Sequence, residues 1–72
     1  MDKKQKKNLK INGYDYCFIT SVTILELLTY LGFNQRVIVI DYNGRILEKR
    51  LWSDTLLKNK DALEILSIAG GG

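Results

Sequence analysis

The chain has no histidine and one cysteine, Cys17. The commonest general base and the commonest metal ligand are therefore missing, and neither an imidazole nor a thiolate cage can be built. Asp54, Asp61 and Glu64 come nearest to a set of paired acids, and they read as scattered charges on a small surface. Cys17 could relay sulfur, but it alternates with Tyr16 and Phe18 in a strand-like stretch. That pattern reads as a buried or half-buried packing thiol. What remains is a main-chain group, the carboxylate of Gly72, reached through Ile68-Ala69-Gly70-Gly71. Glycine packs nothing and costs more ordering entropy than any other residue, so three in a row have no evident structural purpose. A tail without side chains can thread a narrow channel in a partner, with Ile68, Ala69, Gly70 and Gly71 held by backbone hydrogen bonds and Gly72 at the reactive centre. The plain alternative is a disordered end.

Such a tail needs a body to present it. Asn12-Gly13 and Asn43-Gly44 each separate strand-like segments, and this dipeptide is the strongest short signal for a two-residue hairpin turn. Leu9, Lys10 and Ile11 alternate before the first turn, and Tyr14, Tyr16 and Phe18 alternate with Asp15 and Cys17 after it, the period of a half-buried strand. Thr23 and Glu26 form a capping-box pattern, and Ile24, Leu27, Leu28 and Leu31 place one apolar stripe on a short helix that Gly32 can end. Arg36 to Tyr42 reads as a central strand, Arg45 to Leu47 as its shorter partner, and Ala62 to Ile68 as a last strand. Between them, Trp52, Leu56 and Leu57 are the expected anchors onto the core, and Trp52 reads as a core plug in preference to the alternative of a partner-facing hot spot.

A hairpin followed by a crossover helix requires the third strand to run parallel to one member of that hairpin. The expected fold is α+β, a β-grasp (ubiquitin-like) domain with a small mixed sheet and one helix across one face. Residues 1–8 read as a flexible basic arm, 9–68 as the domain and 69–72 as a flexible glycine tail. With one helix, the other face of the sheet is uncovered. Either Val37 with Val39 or Ile38 with Ile40 then faces outward as a docking strip beside the tail.

Bulk properties narrow the classes further. A chain of 72 residues is one domain, and 46% hydrophobic content suits a folded one. No apolar run approaches the roughly 20 residues of a membrane span, and no apolar stretch follows the charged start, so neither membrane association nor a signal peptide is expected. The net charge of +3 is concentrated in Lys3, Lys4, Lys6, Lys7 and Lys10. That run reads as a solvated terminus, and no nucleic-acid partner is expected. A nucleic-acid module using this arm, with Tyr14 and Tyr16 as a stacking platform, is the distant alternative. One cysteine fits a reducing compartment, either cytoplasm or plastid stroma.

The glycine terminus, the capped Thr23-Ile24-Leu25-Glu26-Leu27-Leu28 helix, Val39-Ile40-Asp41-Tyr42-Asn43-Gly44 followed by Trp52, and Lys60-Asp61-Ala62-Leu63-Glu64-Ile65-Leu66 together resemble the ThiS family of sulfur carriers from thiamine biosynthesis. The likeness runs from about Leu9 to Gly72. It implies that the protein is no enzyme itself and binds no cofactor or metal. A ThiF-type adenylating enzyme would spend ATP on the Gly72 carboxylate. A sulfur donor such as a cysteine desulfurase would convert the adenylate to a thiocarboxylate. A ThiG-type thiazole synthase would then take the sulfur. A molybdopterin carrier of the MoaD type and a ubiquitin-like modifier share this architecture and stay open as alternatives. Three features depart from the family pattern: a third glycine, a Lys58-Asn59-Lys60-Asp61 turn without the glycine many relatives carry, and the lysine-rich start.

Overall fold

The computed structural model describes residues 6–68. Strand β1 (Lys7–Ile11) and strand β2 (Tyr14–Phe18) form the first hairpin. Helix α1 (Ile24–Leu31) follows, then a 3-10 turn at Gln35–Val37, strand β3 (Ile38–Tyr42) and strand β4 (Arg45–Leu47). A second 3-10 turn at Lys49–Leu51 precedes strand β5 (Ala62–Ser67). The sheet order is β2-β1-β5-β3-β4. Both hairpin turns have two successive left-handed residues, Asn12 (φ 53°) with Gly13 (φ 86°) and Asn43 (φ 52°) with Gly44 (φ 92°). These angles match the right-handed twist of the strands they join.

Helix α1 has the ends its sequence calls for. The Thr23 hydroxyl accepts the Glu26 amide at 3.1 Å, the Glu26 carboxylate accepts the Thr23 amide at 2.9 Å, and Gly32 closes the helix in the left-handed region. Ile24, Leu27 and Leu28 are buried against Leu9, Ile11, Ile38, Ile40, Leu63 and Ile65 from the sheet. Trp52 fills the end of this core at 2% exposure, and its indole N–H donates to the Leu47 carbonyl at 3.1 Å. A large apolar ring is thus buried without stranding its one polar atom.

Several expectations need correction. Lys7 and Asn8 belong to β1 and not to the arm, because the Asn8 amide donates to Asn59 Oδ1 and the Asn8 carbonyl accepts from Lys60 N. Arg36 and Val37 lie in the 3-10 turn, where Asn34 Oδ1 caps the Arg36 amide, so β3 begins at Ile38. As expected, β3 runs parallel to one member of the first hairpin, β2; it pairs with β5 and β4, and the one parallel pairing among the described strands joins β1 to β5. Tyr14, at 71% exposure, and Cys17 are exposed, because β2 is an edge strand that the helix does not reach across to cover. Leu56 is 54% exposed, and Leu57 alone of that pair enters the core. Asp61 is buried and is no part of a scattered surface set.

Candidate functional site

Residues 69–72 carry the proposed chemistry and lie outside the described residues, as does the start of the lysine arm. What the structure does show is how the strand leading to them is held. In β5, Leu63 and Ile65 point into the core while Glu64 and Leu66 point out. The strand lies in the middle of the sheet, parallel to β1 on one side and antiparallel to β3 on the other.

Each Asn-Gly turn also grips β5 with its asparagine. The Asn43 amide donates to the Ala62 carbonyl at 2.8 Å, and Asn43 Oδ1 accepts the Ala62 amide at 2.7 Å. The Asn12 amide donates to the Leu63 carbonyl at 2.9 Å, and Asn12 Oδ1 accepts the Ile65 amide at 2.6 Å. The main-chain N–H donates and the side-chain oxygen accepts, which together reproduce the donor–acceptor pair of a neighbouring strand, so β5 stays satisfied past the end of β1. Its last described contact is the Ile68 amide donating to the Val37 carbonyl at 2.8 Å. Ile68 is 43% exposed there.

The start of β5 is fixed by Asp61. Its carboxylate accepts from the Tyr42 hydroxyl at 2.7 Å, Asn43 Nδ2 at 3.0 Å and the Lys58 amide at 2.7 Å. A buried charge needs such a set of donors to offset its lost hydration. Burial, together with the hydrogen bond to Asp61 and its negative charge, pushes the Tyr42 hydroxyl up to about 12. This clamp sets the register of β5, and through it the point at which the chain leaves the sheet.

The uncovered face is settled by the same register. Ile38 and Ile40 point into the core, and Val39 points outward beside its β5 partner Leu66. Ile46 of β4 stands on the same face at 63% exposure, opposite Asp41, and Leu66 is 44% exposed. Val39, Leu66 and Ile46 thus form an apolar strip on the helix-free face, next to where β5 ends. Among the described residues, no group of three or more His, Cys, Asp or Glu could hold a metal ion. No helix among them is long and apolar enough to cross a membrane.

The Asp61 clamp escaped the sequence reading. The one available signal was an aspartate three residues after Lys58 and directly before an apolar alternation, the arrangement by which a carboxylate caps a turn.

The sequence pattern of the ThiS family matches residues 9–72. The chain is 36% identical over 66 residues to the ycf40 protein of Trieres chinensis, covering 92% of this chain and 90% of that protein. It is 34% identical over 64 residues to a thiazole synthase of Paramagnetospirillum magneticum, covering 89% of this chain but 20% of that protein. Among solved structures, the crystal structure of the thiamine biosynthesis protein ThiS from Geobacter metallireducens superposes with a TM-score of 0.78 at 34% identity. That match covers 90% of this chain and 99% of the other.

Proposed function

The chain belongs to the ThiS family, and from that membership we propose that it is a sulfur carrier for the thiazole of thiamine, acting as a protein cosubstrate and not as an enzyme. The supporting observation is a family match that runs through Gly72 on a domain whose central strand leads directly to that tail.

The working group is the Gly72 carboxylate. A carboxylate resists nucleophiles, so a ThiF-type enzyme first joins it to the α-phosphate of ATP with release of pyrophosphate. A donor such as a cysteine desulfurase supplies the sulfur as a protein persulfide, whose terminal sulfur attacks the acyl carbon and expels AMP. A thiol of the partners then attacks the S–S bond of the resulting acyl disulfide, forming a disulfide with the donor's cysteine and releasing the thiocarboxylate. A ThiG-type synthase accepts the sulfur, and hydrolysis of the acyl group restores the carboxylate. The acid–base groups and the electrostatic stabilisation come from the partners. This chain supplies a rigid exit strand, a tail thin enough to thread, and the apolar strip of Val39, Leu66 and Ile46 as a docking surface. That a thiazole synthase carries a segment matching this chain over a fifth of its length supports the thiazole route over the molybdopterin one.

The test is ATP–pyrophosphate exchange catalysed by a ThiF-type enzyme. Exchange should depend on the full chain and vanish when Gly70, Gly71 and Gly72 are removed together. Exchange that persists without the three glycines would remove the tail from the reaction.

A further inference from the structure

Strand β2 forms one edge of the sheet, and it lacks the devices that usually keep an edge from pairing. Its sequence, Tyr14-Asp15-Tyr16-Cys17-Phe18, has no lysine, arginine or proline. Its one charge, Asp15, is held by Lys10 Nζ at 3.0 Å. The other edge, β4, is only three residues long and carries Arg45. Short or basic edges resist pairing, whereas a longer edge without them is a template for another strand.

The turn geometry tells which groups are free. A two-residue turn makes Ile11 and Tyr14 a hydrogen-bonded pair, so Tyr14, Tyr16 and Phe18 direct their backbone groups to β1. Asp15 and Cys17 direct theirs outward. On the helix side of β2 lies an open apolar groove lined by Tyr16, Phe18, Ile19, Leu27 and Tyr30. Ile19 and Tyr30 are exposed in it.

We propose that two copies of this chain pair edge to edge through β2, antiparallel about a two-fold axis at Tyr16. An interface of this symmetry needs a patch complementary to itself, and β2 reads almost the same in both directions. In this register Asp15 faces Cys17 of the second copy, and the two exchange both backbone hydrogen bonds, as do their symmetry mates. Tyr16 faces Tyr16, and each Tyr14 faces a Phe18, giving a ladder of aromatic pairs over the joined grooves. Charge selects the register. An axis at Asp15 would oppose two carboxylates, and one at Cys17 would set Asp15 against Ile19 and Tyr14 against Thr20. In the Tyr16 register each Asp15 meets a neutral thiol and keeps its own Lys10.

The test is sedimentation equilibrium of the full chain from about 10 μM to about 1 mM, the range for an interface at the small end of specific contacts. The mass should rise from 8.3 kDa toward twice that value, while Tyr16→Lys, checked by thermal melting to be folded, should stay monomeric throughout. A nitroxide on Cys17 reads whether the two β2 strands meet, since diagonal positions across an antiparallel pair are about 7–8 Å apart. The labelled dimer should give a broadened spectrum that sharpens on mixing with excess unlabelled chain. A monomer at every concentration, as expected of a groove that takes only an extended segment of another protein, would overturn the proposal. So would a dimer unchanged by Tyr16→Lys, or one without broadening.

Discussion

Buried Asp61 holds half-buried Tyr42 and exposed Asn43 by hydrogen bonds, in a domain small enough for one such cluster to affect the whole fold. It gives stability a specific pH dependence. The Tyr42 hydroxyl keeps its proton in the folded protein up to about 12, against 10.0 as its ordinary value. The unfolded chain therefore loses that proton first and binds fewer protons above pH 10, so stability falls as pH rises. The contribution is fully present below pH 10 and is lost between about 10 and 12. Urea unfolding of wild type and Tyr42→Phe across this range should show the difference between them shrinking with pH. A difference constant from pH 9 to 12 would mean the hydroxyl is not held this way. Lys60 makes a second case. It sits at φ 75°, a left-handed conformation that suits glycine. Lys60→Gly should therefore stabilise by about 1 kcal/mol in denaturant titration, and unchanged or lower stability would refute the strain. The sequence already marked this turn as lacking a glycine. The burial of Asp61 was not legible, because two of its donors come from residues 19 and 18 positions away.

Elements were legible where local chemistry alone decides them. The ends of α1 follow from Thr23, Glu26 and Gly32, and the hairpins from two Asn-Gly pairs, whatever the rest of the chain does. Burial in β2 was not legible, since alternation gives the two faces of a strand but not whether anything covers them. The same limit applied to Val39 and Ile40, and there the fold supplies the answer: Ile40 enters the core and Val39 faces out beside Leu66. That outward strip makes a prediction for β5. Leu66→Lys should leave the melting temperature nearly unchanged, because Leu66 is 44% exposed. It should raise the KM of a ThiF-type enzyme for this carrier by about tenfold, the effect of roughly 1.4 kcal/mol of lost docking. An unaltered KM would separate the strip from partner recognition.

Across the whole molecule, the design is a fixed strand with a chemically plain extension. β5 is paired on both sides, its first residue is gripped by Asn43, and its middle is held by Asn12. Its end is tied to Val37 through Ile68. The β-grasp order of elements was readable in advance because its turns and crossover leave few topologies. The β1–β5 pairing was not, since it joins strands from opposite ends of the chain. A carrier of this kind should be changed at one position by its partners and otherwise left intact. The most direct test is the intact mass of the chain after incubation with ATP, a ThiF-type enzyme and a sulfide source. The mass should increase by the replacement of one oxygen by sulfur, mapped to Gly72 by fragmentation and absent from a chain lacking Gly70, Gly71 and Gly72. An unshifted mass, under conditions where the same enzyme loads its own carrier, would mean that Gly72 does not carry sulfur.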